Sequence, residues 1–193
     1  MNKNRLEAFS DGILAIIITV MVLELKIPHG ADWSVLYELL PKFLSYVTSF
    51  LYIAIYWNNH HYLLHTVKHV TSGILWANIN LLFWLSLVPF VTAWTGENHF
   101  AVLPVATYSL VLLLAGAAYY ILTLTIIKAH GKDSLLAKAV GNDTKGKISM
   151  VGYFLGVPFA FIQKEITLFI IIAIALLWLI PDQRIERKLN DNE

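Results

Sequence analysis

The sequence predicts an all-α, polytopic membrane protein with six transmembrane helices and both N- and C-termini cytoplasmic. Three observations carry this expectation. Of 193 residues, 58% are hydrophobic and 14% charged, with a mean hydropathy of +0.64. A soluble domain carries roughly 25% charged residues, so the apolar excess here has to face lipid. Six apolar runs approach the ~20 residues that a helix needs to cross a hydrocarbon core of about 30 Å. The basic residues are divided unevenly between alternate connections, as the positive-inside rule requires.

The helices are expected at roughly residues 6–27, 43–64, 74–94, 104–127, 148–162 and 166–180. The first reads as a retained helix, because Glu24-Leu25-Lys26 follows it with no small-residue cleavage site. Pro41 stands at the start of the second, Pro104 suits the first turn of the fourth, and Pro181 suits a stop to the sixth. The last two are short, and Lys164-Glu165 between them reads as a tight surface turn. They form two spans or one bent hairpin that barely crosses.

With the N-terminus inside, Lys26, Lys42 and Lys164 are the three basic residues outside, and the other eleven of the fourteen lie inside. An odd number of helices would spoil this partition. The outer side also carries Glu24, Asp32, Glu38, Glu97 and Glu165. These are ordinary solvated loop charges or a weak attractor of cations. The one long connection, about 128–147, is rich in Lys, Gly, Asp and Asn and reads as cytoplasmic and mobile, with lysines placed to meet anionic lipid. No internal repeat is visible, so residues 1–193 read as a single six-helix unit.

A net charge of +1 and the lack of a basic, aromatic-laced patch argue against nucleic acid. The absence of cysteine excludes disulfides, thiolate zinc sites and thiol catalysis. No phosphate-binding glycine loop and no catalytic pairing of serine, lysine or carboxylates appears. The reading is a non-enzyme with no catalytic residue, no resident metal and no cofactor.

The first helix differs from the rest. Its uninterrupted apolar stretch runs only over residues 12–23, and Asp11 falls inside the helix. Lipid tolerates an acid poorly, and intramembrane acids face protein or water, which places this helix centrally. At 100° per residue, Ile16, Thr19, Val20 and Leu23 share one stripe, with Asp11 about 140° from Ile16. Spacing alone makes that stripe a helix-packing face first. On the second helix Trp57, Asn58, Asn59 and His60 lie near the inner end, and Asn78 lies about one turn into the third, level with Ser10 and Asp11. Hydrogen bonding among such groups keeps an acid buried at tolerable cost. The group reads equally as a polar clamp on the first helix or as a proton relay.

Arg5-Leu6-Glu7-Ala8-Phe9-Ser10-Asp11-Gly12 has the form RxxxFSDG at the start of the first helix. It resembles the signature of the lysosomal and endosomal potassium channel family, specifically of its bacterial members. Trp57-Asn58-Asn59-His60 resembles the family's W-x-x-H, and Asn78 with Pro89 eleven residues later resembles its third helix. The likeness covers most of the first three helices. It implies a channel without a reentrant filter loop, and no TVGYG-like segment occurs here. It implies one six-helix unit per chain in a homotetramer in the bacterial inner (plasma) membrane. Permeant ions would be K+ and other monovalent cations. It further implies that the first helices line the pore, so that Ile16, Val20 and Leu23 become its apolar constrictions and Thr19 the neighbouring hydroxyl position. Val20 is smaller than the leucine often found there, which widens that layer.

On this reading four Ile16 side chains form a hydrophobic gate that blocks by dewetting, backed by Val20 and Leu23. Thr19 offers hydroxyl oxygens to a partly dehydrated cation, since apolar rings cannot coordinate one. Arg5, Phe9, Ser10, Asp11, Gly12, Trp57, His60 and Asn78 form the motif and its clamp.

His61, His65 and His69, with His60 adjacent, repeat at helical spacing. They are interfacial side chains, or a metal site. Gly152, Gly156 and Ala160 make a small-residue ridge for close packing, and Trp33, Trp76, Trp94 and Trp178 suit aromatic belts. The rival function is a secondary cation or metal transporter using Asp11 and the His60/His61/His65 cluster, although transporters usually show repeats and broken helices. A non-conducting membrane assembly protein is a second rival.

Overall fold

The computed structural model describes residues 2–141 and 143–179. The expected stop at Pro181, the last residue of the sixth run and the basic residues Arg184, Arg187 and Lys188 lie outside the described residues. Within them every regular element is helical: α1 (Lys3–Leu23), α2 (Trp33–His65), α3 (Ser72–Ser86), α4 (Val88–Glu97), α5 (Val102–His130), α6 (Leu135–Val140), α7 (Thr144–Ile162) and α8 (Lys164–Leu179). Among the described residues, four stretches are long and apolar enough to cross a membrane: α1, α2, α3 with α4 taken together, and α5.

Local chemistry sets these limits and corrects several expected ones. Asn2 caps α1 by accepting the N–H of Asn4 at 3.2 Å. The helix ends at Leu23, short of residue 27, because Pro28 disfavours helical backbone at Ile27. The second helix begins at Trp33, so Pro41 is inside it and not at its start. Glu38, Pro41 and Lys42 break the apolar run without breaking the helix. Its 33 residues extend about 50 Å, well beyond what a hydrocarbon core needs.

The expected third helix is divided at Leu87 into α3 and α4. Pro89 has no N–H to give the carbonyl of Leu85, and its ring crowds that carbonyl. Pro104 falls in the first turn of α5 as expected. The connection expected at 128–147 is shorter: α5 runs on to His130 and α7 starts at Thr144. Between them α6 is capped by Ser134 and plants Leu136 in the main core. The break between α7 and α8 is at Gln163, in extended backbone. Lys164 and Glu165 are therefore the first turn of α8 and not the turn itself.

α1 lies against α2, α3 and α4, while α5 is the central strut, touching α3, α4, α7 and α8. One apolar core, including Leu14, Ile53, Leu81, Leu112 and Ile171, runs through these contacts. The small-residue ridge on α7 does what its spacing predicts. A Cβ on Gly152 would fall 2.8 Å from Ile174 of α8, and one on Gly156 would fall 2.5 Å from the hydroxyl of Ser109 on α5.

A second polar knot was not legible beforehand. The Thr92 hydroxyl donates to the carbonyl of Val88 at 2.6 Å. Its proton is thus committed, so Ser49 donates to Thr92 at 2.6 Å and Tyr108 donates to Ser49 at 2.6 Å. This directed chain ties α5 to α2 and to the first turn of α4, just beyond the proline break.

Gly96 sets the approach of α4 to α2, since a Cβ there would lie 2.8 Å from the backbone Cα of Lys42. Backbone cannot step aside as a flexible side chain can. Gly96→Val should therefore cost about 1–3 kcal/mol, read as a lower thermal midpoint of the purified protein than a Gly12→Val control. A Cβ on Gly12 meets nothing within 4 Å.

Candidate pore helix and its polar clamp

α1 has two unlike faces. Leu6, Ser10, Leu14, Ile17 and Met21 are buried, at the three- and four-residue spacing of one helical seam. The opposite side is open: Ile16 is 63% exposed, Val20 39% and Leu23 73%, and Thr19 is exposed with them. The stripe drawn from spacing is thus not the face that packs within the subunit. Thr19 donates its proton to the carbonyl of Ala15 at 2.9 Å, which leaves its oxygen lone pairs directed outward. Arg5, Phe9 and Gly12 also stand on the exposed side.

The buried seam is held at Ser10. The Ser10 hydroxyl donates to the carbonyl of Leu6 at 2.9 Å. Having spent its proton, it accepts from Asn78 Nδ2 at 2.9 Å. Asn78 must then turn its Oδ1 toward His60, whose Nε2–H donates to it at 2.7 Å. Ser10, Asn78 and His60 are all buried, so one chain of hydrogen bonds links α1, α3 and α2. Each proton has one direction, and the chain ends on a helix carbonyl. Such a chain fastens α1 to α3 and α2.

Asp11 is not part of that chain. It is exposed in the subunit, and its carboxylate accepts from Trp57 Nε1 at 3.0 Å. The expected clamp therefore consists of a buried Ser10–Asn78–His60 chain and a separate Asp11–Trp57 tie, one residue apart on α1. Asn58 and Asn59 lie outside it, and Asn59 donates back to the carbonyl of Ile55 at 2.8 Å.

The histidine series does not share one helical face. α2 stops at His65, and His69 stacks on His130 of α5 with ring centroids 4.4 Å apart. His130 Nε2 accepts the backbone N–H of Lys68 at 3.0 Å, and its Nδ1 faces the carbonyl of Ile126 at 3.0 Å. His61 stacks between Trp57 and His65. Among the described residues no group of three or more His, Asp or Glu could hold a metal ion.

Beside α1 the divided third helix leaves an open groove. Ile13, Ile16 and Val20 form one wall, Pro89, Phe90 and Trp94 the other, and Glu24 and Glu97 stand among its lining. Glu97 is also the meeting point of Lys42 at 3.3 Å and Lys26 at 3.8 Å.

Removing the middle of the buried chain leaves His60 Nε2 without its acceptor and takes from Ser10 the N–H it accepts. Asn78→Ala should cost about 2–4 kcal/mol, whereas Asp11→Ala, which loses one exposed bond, should cost about 1 kcal/mol. Thermal unfolding of the two purified variants compares them directly; equal losses would contradict the division into chain and tie.

The family model for the endosomal/lysosomal potassium channel TMEM175 matches residues 5–89, the stretch that holds α1, the clamp and the proline break. A potassium channel of Chryseobacterium sp. (strain P1-3) is 53% identical over 192 residues, covering 100% of both chains. A potassium channel of Streptomyces collinus is 32% identical over 180 residues, 87% of each. The crystal structure of a lysosomal potassium-selective channel TMEM175 homolog from Chamaesiphon minutus superposes with a TM-score of 0.80 at 26% identity. That superposition covers 93% of this chain and 97% of the other. With its full length aligned to a relative more than half identical, and its first three helices matched by the family model, this chain belongs to the TMEM175 family of channels.

Proposed function

We propose that this protein is a potassium-permeable cation channel of a bacterial cell membrane, a homotetramer whose pore is lined by α1 of each subunit. The single observation that carries the reading is the open apolar stripe on α1: Ile16, Val20 and Leu23 exposed on a helix whose other face is fully packed. Lipid alone would accept these three, but Thr19 beside them and Asp11 further round the exposed surface are poor lipid neighbours. Four copies turned inward put the stripe on the axis and give the hydroxyls water or ions to meet. The relatives described as potassium channels support the same assignment.

In this proposal the chain is one six-span unit with both termini cytoplasmic. α7 and α8 supply the two short spans, and the α3–α4 pair counts as one. Ile16 is the principal gate: a closed ring of four isoleucines excludes water, and an ion cannot follow without its hydration shell. Val20 and Leu23 add outer layers. Thr19 supplies oxygens to a partly dehydrated cation and sets such preference for K+ as the pore has. Arg5, Phe9 and Gly12 belong to the motif turn at the inner end. The Ser10–Asn78–His60 chain and the Asp11–Trp57 tie hold α1 in register.

Planar-bilayer recording of the purified protein in a K+/Na+ gradient tests this. Unitary currents reversing toward the K+ potential are expected. Ile16→Asn, which makes the narrowest ring polar, should raise open probability or conductance several-fold at equal protein incorporation. An Ile16→Asn protein that passed no more current than wild type would remove the gate from Ile16. Slow cation uptake into vesicles without unitary currents would point instead to a carrier using Asp11 and the histidines.

A further inference from the structure

Away from α1, a cavity of about 80 Å³ lies between α2, α5, α7 and α8. Its walls are mostly rings: Tyr52, Tyr56, Tyr119, Tyr153 and Trp178. Tyr56 meets Tyr119 edge-on with centroids 6.3 Å apart, and Tyr52 tilts against Tyr153 at 6.3 Å. Space is kept by Gly116, where a Cβ would stand 3.2 Å from Met150 Sδ and 3.8 Å from the Tyr56 hydroxyl.

Most hydroxyl and indole groups of this wall are bonded within the subunit. Tyr52 donates to the carbonyl of Ile171 at 2.6 Å, and Tyr153 donates to Tyr52 at 3.1 Å. Tyr119 donates to the carbonyl of Asn59 at 3.2 Å, and Trp178 donates to Ser149 at 2.8 Å. The Tyr56 hydroxyl has no hydrogen-bond partner among the described residues, and Tyr56 is only partly buried, with the cavity beside it. Its oxygen would stand 3.8 Å from a Cβ on Gly116, another lining residue, so its open hydrogen-bonding capacity is presented at the cavity.

We infer that this cavity is a binding site for a small, uncharged aromatic molecule carrying one hydrogen-bond acceptor. The acceptor would take the Tyr56 proton while the ring packs edge-on among the tyrosines. Aromatic pairs favour that arrangement over face-to-face stacking. An apolar cavity of roughly 150 Å³ takes a whole benzene, so a single ring seated in about 80 Å³ projects through the mouth. Both signs of charge stand by the wall: Asp143 lines it and accepts the N–H of Gly146 at 3.2 Å, and the Lys145 ammonium sits 5.8 Å over the ring of Trp178, another lining residue. No residue of α1 lines the cavity. The site therefore stands apart from the proposed pore, and its occupancy can be read without measuring ion flow.

The test uses full-length protein in lipid nanodiscs and 4-fluorophenol as the probe, followed by fluorine NMR with empty nanodiscs as reference. Wild type should show saturable binding that excess unlabelled phenol displaces. Tyr56→Phe should weaken it about five-fold, the size of one ordinary hydrogen bond. Gly116→Leu should abolish it by filling the space, and Ile16→Asn, on the far helix, should bind as wild type does. Non-saturable uptake equal to that of empty nanodiscs overturns the site, and so does binding that neither Tyr56→Phe nor phenol competition reduces. Should Gly116→Leu fail to fold, the Tyr56→Phe ratio and the competition decide the question alone.

Discussion

The fold depends on holding a helix from one side only. α1 packs through a single seam and leaves Ile16, Thr19, Val20 and Leu23 uncovered. Apolar contacts in a bilayer hold helices weakly in register, because lipid tails are as apolar as leucine. The Ser10–Asn78–His60 chain supplies what packing cannot, a directional bond that fixes both rotation and depth. Its three members come from three helices, and each donor is committed by the next acceptor. A shift of α1 by one residue would turn Ser10 away by about 100° and leave the Asn78 Nδ2 group buried without its acceptor.

The same device recurs deeper in the subunit. Tyr108, Ser49 and Thr92 form a second directed chain that ends on the carbonyl of Val88. Pro89 divides the third helix, and a divided helix needs its fragments located separately. The chain secures the start of α4 to α2 and α5. Ser45 adds a bond to the carbonyl of Thr92 at 2.8 Å. In both knots hydroxyls, an amide and an imidazole, not ion pairs, do the fastening. The ion pairs of Glu97 with Lys42 and Lys26, and of Lys3 with Glu7, each involve a helix terminus, Glu97 ending α4 and Lys3 starting α1.

Much of this was legible from residue types. The RxxxFSDG run marked α1, and depth along three helices brought Ser10, His60 and Asn78 to one level before any coordinates. Depth cannot resolve rotation, however, so Asp11 was grouped with the buried chain although it faces outward to Trp57. Apolar runs found the helices but misjudged their ends. Pro41 is tolerated inside α2, whereas Pro89 breaks α3 from α4, and composition does not separate a proline that kinks from one that divides. The Ser49–Tyr108 contact spans 59 residues, and the Tyr56 cavity is assembled from α2, α5, α7 and α8. No local pattern announces pairings that only the packing of distant helices creates.

If α1 lines a pore, the position of its fastening governs how that pore opens. The clamp sits near the N-terminal end of α1, and no comparable hydrogen bond to another helix holds its C-terminal half among the described residues. A tilt of the helix therefore pivots near Ser10. Ile16 lies about 9 Å from that pivot and Leu23 about 20 Å, at 1.5 Å per residue, so any tilt moves Leu23 roughly twice as far. In such a pore the Val20 and Leu23 layers would widen first and the Ile16 ring last. Ile16, the proposed narrowest ring, would then be the one nearest the anchor and so the layer least open to chance wetting, and the smaller Val20 would take little part in holding the closed state.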